Sequence, residues 1–362
     1  MSFPNRLRSL AWFLVAAVYY IVAQQVAFHS ANGLSSGDWF ELVHRSMLLF
    51  LLLAGFAAMG YVGQRQQEPL KAMGLVLRPG WRKEFALGSA IGWGGVVACV
   101  LPVALIGGLV VTFFTTWHQF RMILLDLLVL AIAALLEEVA FRGYPFQRLI
   151  DAIGPNLATL VMCLIFGAAH LRNPAATGAS TLVTILAGWL LSLAYLRTRA
   201  LWVGWGFHFA WNASMAVLFG LPMSGITDFS PVILTNARGP AWLTGDGYGP
   251  EGSLLAVLVL LALLVVMVKA TRDLKHLYAQ PVIIPGGIPV DIDAAARRQH
   301  ETAMASPAVV AEPKLVQILP ASGGSFPLAS SPASDTVSSS PEAAAAERPA
   351  EESPENLPGG DA

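Results

Sequence analysis

Three charged side chains, Glu137, Glu138 and Arg142, interrupt an apolar run that begins near Met122, in the stretch Leu135-Leu136-Glu137-Glu138-Val139-Ala140-Phe141-Arg142. A charge in a lipid-spanning helix costs about 2.5–3.5 kcal/mol or more, so three together mark either a functional site or a salt-bridged pin. On a helix Glu138 and Arg142 lie four residues apart on one face and can neutralise each other. Glu137 points about 100° away and is left for other work. Two later apolar stretches carry polar groups that could meet it: Phe166-Gly167-Ala168-Ala169-His170 and His208-Phe209-Ala210-Trp211-Asn212. His208 and Asn212 are one helical turn apart on a shared face. A carboxylate, two imidazoles and a carboxamide can together offer a proton acceptor, a proton donor and hydrogen-bond donors. Each group alone also has a structural reading. The charge cluster can be a pin near a helix end, His170 a packed interfacial histidine beside Arg172, and His208 with Asn212 a polar pair that ties helices together.

The elements that must hold these groups are membrane helices. The chain has 362 residues, 55% of them hydrophobic and 12% charged, with a net charge of −1, and a mean hydropathy of +0.60. Soluble domains carry about 25% charged residues. The composition therefore predicts an all-α, polytopic membrane protein with the lipid bilayer as its partner. A near-neutral charge without a basic stripe excludes nucleic acid as an expected partner. Cys99 and Cys163 fall in separate apolar runs and predict no disulfide framework.

Eight runs approach the length of about 17–25 residues that a span needs, near 10–28, 46–63, 86–115, 122–149, 156–172, 180–197, 200–221 and 253–269. The third is long enough to tilt, kink or protrude, and the fifth is short. The first, preceded by Arg6 and Arg8, reads as a retained signal anchor. Lys and Arg collect on alternate connections: Arg65, Lys71, Arg78, Arg82 and Lys83, then Arg148, then Arg197 and Arg199, then Lys269, Arg272 and Lys275. The other connections carry one each, Arg45, Arg121, Arg172 and Arg238. By the positive-inside rule this predicts a plasma-membrane protein with both termini cytoplasmic. The organisation expected is three N-terminal spans over residues 1–120 and a core of spans over 121–221 carrying the polar motifs. An outer loop over 222–252, a last span within 253–280 and a tail over 281–362 complete it. The tail is rich in Ala, Pro, Ser, Gly and Glu and is expected to be disordered.

Depth arguments bring the motifs together. A tight hairpin turning at Gly154-Pro155 would put Glu137 and His170 at one level, about 25 Å from the turn; separately, a span entered near Ala200 would carry His208 at a depth of about 12 Å. His170 at the level of Glu137 requires residues 172–179 to form a re-entrant segment covered by protein. Other matches carry less. Gly33-Leu34-Ser35-Ser36-Gly37 fits a nucleophile pattern that has meaning only on a strand–turn–helix. His300-Glu301 lacks a second histidine at Met304, and the sequon at Asn212 lies inside an apolar run. Gly88 and Gly92 form a GxxxG pair, which predicts close helix packing.

Taken in order, Glu-Glu-x-x-x-Arg, Phe-x-x-x-His and His-x-x-x-Asn resemble the motifs of the CAAX-protease and bacteriocin-processing (Abi) family of intramembrane endopeptidases. The resemblance covers about residues 120–220. It implies that Glu137 and His170 activate a water, that His208 and Asn212 bind the oxyanion, and that Glu138 and Arg142 support the site. It implies no cofactor and a membrane-anchored protein or peptide as substrate. The residues also admit other readings. His170, His208 and a glutamate make a two-histidine, one-carboxylate set suited to zinc. The same groups could form a proton relay in a transporter, and the chain could be a scaffold that recruits partners through its tail.

Overall fold

The computed structural model describes residues 3–229 and 232–274, together with the backbone of residues 282–283 and 289–290. The rest of the expected tail lies outside the described residues, as does the His300-Glu301 match. The described part is almost wholly helical. In chain order the helices are α1 (Phe3–Leu34), α2 (Phe40–Gln64), α3 (Pro69–Ala72), α4 (Trp81–Leu105), α5 (Trp117–Arg142), α6 (Tyr144–Ile153), α7 (Pro155–Ala169), α8 (Gly178–Thr198), α9 (Trp202–Ala213), α10 (Ala241–Thr244) and α11 (Leu254–Ala270). A π-helical turn, Ser214–Leu218, continues α9.

Four segments are long and apolar enough to cross a membrane: Phe3–Leu34, Gly37–Gln64, Trp81–Leu105 and Gly178–Thr198. Pro155–Ala169 and Leu254–Ala270 are shorter apolar helices. Leu14, Val18, Ile21, Phe50, Leu101, Leu164, Leu258 and Val265 are exposed on these helices. Apolar faces turned outward over such lengths suit lipid rather than water.

Two of the expected runs are broken. The run 122–149 is two helices, because Pro145 has no N–H to give and its ring clashes with the carbonyl four residues back. The backbone therefore turns at Gly143, with ψ −133. The short α6 that follows buries Tyr144, Phe146, Leu149 and Ala152. It packs against α1 and α7, so the tight α5–α7 hairpin expected from the sequence is not formed. The run 86–115 ends as a helix at Leu105, shortly after the internal Pro102. The chain then turns at Gly107, with φ +70, into strand β1 (Leu109–Phe113). Strand β2 (Ile233–Ala237) comes from the expected outer loop and pairs with β1 antiparallel, Val111 opposite Thr235. A second antiparallel pair, β3 (Val282–Ile283) and β4 (Pro289–Val290), lies in the expected tail.

The helices form two apolar groups. One core joins Phe56, Leu136, Val139, Tyr144, Phe146 and Phe166, and belongs to α1, α2, α5, α6 and α7. The other joins Val96, Val100, Leu190, Val203, Phe207 and Leu260, and belongs to α4, α8, α9 and α11. The closest approach in the second group is between α4 and α9. A methyl group placed on Gly88 would lie 2.0 Å from the Val203 carbonyl oxygen, and one on Gly92 would lie 2.4 Å from that of Phe207. Gly206 faces back in the same way, 2.1 Å from the Phe85 oxygen. The GxxxG pair is thus a backbone-to-backbone contact, and it fixes the helix that carries His208 and Asn212.

Candidate active site

The polar motifs meet at the seam between the two groups. The C-terminal part of α5 brings the carboxylates from one side, the end of α7 brings His170, and α9 brings His208 and Asn212 from the other. Glu138 and Arg142 are both about 1% exposed. Arg142 Nη1 donates to Glu138 Oε1 at 3.4 Å, and Nη2 donates to the Gly188 carbonyl at 3.1 Å. The guanidinium lies 4.6 Å from the centre of the Phe166 ring, a cation–π contact. Gly204 makes room for the carboxylate, since a methyl group there would stand 2.9 Å from Glu138 Oε2.

His208 is buried between the two glutamates. Its Nδ1 donates to Glu138 Oε1 at 3.1 Å, and its Nε2 stands 3.6 Å from Glu137 Oε2. The first distance is a hydrogen bond and the second is too long for one. Glu137 Oε2 has no hydrogen-bond partner among the described residues. Its side chain is 24% exposed, whereas that of Glu138 is sealed. Two adjacent glutamates thereby receive different environments. One is a buried anchor for a cation and an imidazole, and the other has an oxygen free for chemistry.

His170 caps α7. Its Nδ1–H donates to the Phe166 carbonyl at 2.8 Å, which leaves Nε2 as the ring nitrogen not used in that bond. The Phe166 ring packs 4.7 Å from the His170 ring and 6.3 Å from the His208 ring, with Phe141 edge-on at 5.0 Å. Phe166 is the apolar hub around which both histidines and the guanidinium are oriented.

Glu137, His170, His208 and Asn212 all line one cavity of about 300 Å³. Glu138 and Arg142 stand behind it. The expected assembly of the three motifs is therefore formed, although by a different route from the hairpin. Helix α7 spans about 22 Å, short of a 30 Å hydrocarbon core. The 170–177 segment that follows is mostly exposed, with Leu171, Arg172, Pro174, Ala175 and Thr177 uncovered, so the protein cover expected of a re-entrant segment is not formed; Asn173 is tied down, its Nδ2 donating to the Ser224 carbonyl at 3.1 Å.

Sequence reasoning missed the roof of this cavity. Glu251 is 7% exposed. Its Oε1 accepts from Trp211 Nε1 at 2.5 Å, and its Oε2 accepts from the Ser224 N–H at 2.5 Å and hydroxyl at 2.8 Å. It ties the expected outer loop to the residue beside Asn212. No local pattern distinguishes Glu251, because its partners are 27 and 40 residues away. The wall contributed by α1 and α2, with Tyr20, Gln24, His44 and Arg45, was also not foreseen. Among the described residues no group of three or more His, Cys, Asp or Glu side chains is arranged to hold a metal ion. The Ser35 of the nucleophile-like pattern lies between the end of α1 and the 3₁₀ turn Gly37–Trp39, away from any strand–turn–helix.

Residues 117–214, the segment that carries all three motifs, match the family model described as Type II CAAX prenyl endopeptidase Rce1-like. No curated protein and no solved structure gave a match. The α5–α9 segment of this multi-pass membrane protein is a domain of the Rce1-like type II CAAX prenyl endopeptidase family.

Proposed function

We propose that the protein is an intramembrane endopeptidase that hydrolyses a peptide bond of a membrane-anchored protein or peptide, with water activated by Glu137 and His170. The observation that carries this reading is the unpartnered Glu137 Oε2 in a cavity shared with His170, His208 and Asn212. A water held by Glu137 and the free His170 Nε2 gives its proton to Glu137 and attacks the carbonyl carbon. The oxyanion forms against Asn212 Nδ2–H and His208 Nε2–H, preorganised donors of the kind that stabilise developing charge. Glu137 then hands its proton to the leaving nitrogen as the C–N bond breaks.

Glu138 and Arg142 serve this step through His208. The Glu138 carboxylate fixes the Nδ1 side of the ring, which aims Nε2 at the cavity, and Arg142 balances the buried carboxylate. With Arg142 offsetting one glutamate, an imidazolium at His208 offsets the other, so the cluster is neutral as a whole. The donor arrangement supports a reaction without metal, since one His208 nitrogen is committed to Glu138 and the other faces Glu137. The zinc reading is tested directly by chelation. Purified chain in lipid vesicles is expected to cleave a membrane-anchored peptide at the same rate with and without a strong chelator. A stoichiometric zinc ion, lost together with activity and restored with it, would overturn the metal-free assignment.

A further inference from the structure

Glu251 is a buried carboxylate that the proposed chemistry does not use. It lines the cavity, and its hydrogen-bond donors are neutral groups. The Trp211 indole N–H meets one oxygen, and the Ser224 backbone N–H and hydroxyl meet the other. Donors converge on it from two elements, and a side chain that accepts through both oxygens satisfies them together. A negative charge beside a forming oxyanion would oppose it by repulsion. What this carboxylate can supply is position.

The backbone that carries Glu251 is fixed on both sides. Two residues on, the buried Ser253 caps α11, its hydroxyl accepting from the Ala256 N–H at 3.0 Å and donating to the Pro250 carbonyl at 2.7 Å. Two residues before, Gly249 has φ +90, and a methyl group on it would stand 2.0 Å from the Pro222 carbonyl oxygen. The Gly225 N–H donates to the Tyr248 carbonyl at 2.9 Å. Trp211 stands at a less regular place. It lies in the last turn of α9, which passes after Ala213 into the π-helical turn Ser214–Leu218. A change of hydrogen-bond pattern there leaves the helix end less firmly held by its own backbone, next to Asn212. The Trp211 ring is stacked on Phe207 with centroids 5.6 Å apart. It also lies close against α4, since a methyl group on Gly95 would stand 2.7 Å from its Cζ3. The bond to Glu251 completes this hold on the indole from the roof.

We infer that Glu251 is a positioning residue: by holding the Trp211 indole it sets the rotation of the end of α9 and so aims Asn212 at the oxyanion. This rests on the peptidase reading. It ties turnover to a residue of the loop over 222–252, outside the segment 117–214 that matches the family model.

The test uses the intact chain in lipid vesicles with a membrane-anchored peptide. Glu251→Gln replaces one acceptor oxygen by an amide nitrogen that faces a donor. Trp211→Phe removes the indole N–H and keeps a ring against Phe207. Each is expected to lower kcat about ten- to a hundredfold with KM nearly unchanged, the scale of a misplacement of about 1 Å. Combined with Asn212→Ala, either one is expected to lower kcat no further, because the group it aims is already gone. A residue that only holds the fold together would give losses that multiply. Unfolding midpoints in detergent select the folded variants. Trp211→Phe leaves Glu251 bonded to Ser224, so it decides the matter where Glu251→Gln does not fold. Losses that multiply with Asn212→Ala, or an unchanged kcat in the folded single variants, would overturn the positioning role and leave the peptidase reading standing. No cleavage by the unaltered chain would take down both.

Discussion

At the residue scale, the site works by giving neighbouring groups of the same kind unlike surroundings. Glu138 is sealed beneath Arg142 and His208, while Glu137, one residue earlier, is partly exposed and keeps an oxygen without a hydrogen-bond partner among the described residues. This difference predicts two distinct phenotypes. Glu138→Gln keeps the shape of the side chain but removes the negative charge that balances the buried Arg142 guanidinium. It is expected to destabilise the protein by about 3–5 kcal/mol, read as a lowered unfolding midpoint in detergent. Asn212→Ala is expected to leave that midpoint in place and lower kcat by about 10²–10³, since an oxyanion donor acts in the transition state. If the two variants lost stability and turnover to the same degree, the division of labour between anchor and chemistry would be wrong. The division was partly legible in the sequence. The i, i+4 spacing of Glu138 and Arg142 announces their pairing, and it leaves Glu137 on another face. What the spacing could not announce is that His208 stands between the two carboxylates, because that depends on how α9 is seated.

At the element scale, the seat of α9 is the contact of its backbone with α4. Gly88, Gly92 and Gly206 allow it, and Gly94 on the same α4 helix faces open space. Gly206→Ala drives a methyl group into the Phe85 carbonyl and is expected to cost at least about 1–3 kcal/mol by overpacking, with loss of activity as His208 moves. Gly94→Ala is the control and is expected to be neutral or stabilising, because alanine is the better helix former. Unfolding midpoints of the two variants decide the matter, and equal midpoints would contradict the close α4–α9 contact. The Gly88–Gly92 spacing disclosed this contact in advance. Pro145 was equally visible, yet the apolar run around it suggested one continuous helix where α5 and α6 are two. The β1–β2 pair and the Glu251 tie were hidden because each joins segments far apart in the sequence, and neither leaves a local period.

At the scale of the whole molecule, the chain is a multi-pass helical membrane protein whose Rce1-like segment lies in its middle. Hydropathy made that class plain from composition alone. The number of crossings was less plain, because helices such as α7 and α11 are apolar but short. The placement of Lys and Arg predicts that a reporter fused after residue 40 reads as external and one after residue 285 as cytoplasmic. The reverse at residue 40 would move the candidate site towards the other leaflet. If the intact chain cleaves a peptide bond with water activated by Glu137, that water's oxygen ends in the new carboxyl group. Mass spectrometry of the products formed from a membrane-anchored peptide in ¹⁸O-labelled water, by the unaltered chain and by Glu137→Gln, reads this out. One heavy oxygen is expected in the newly formed carboxyl group, with cleavage abolished in the variant while its fold is retained. Undiminished cleavage by folded Glu137→Gln would contradict it.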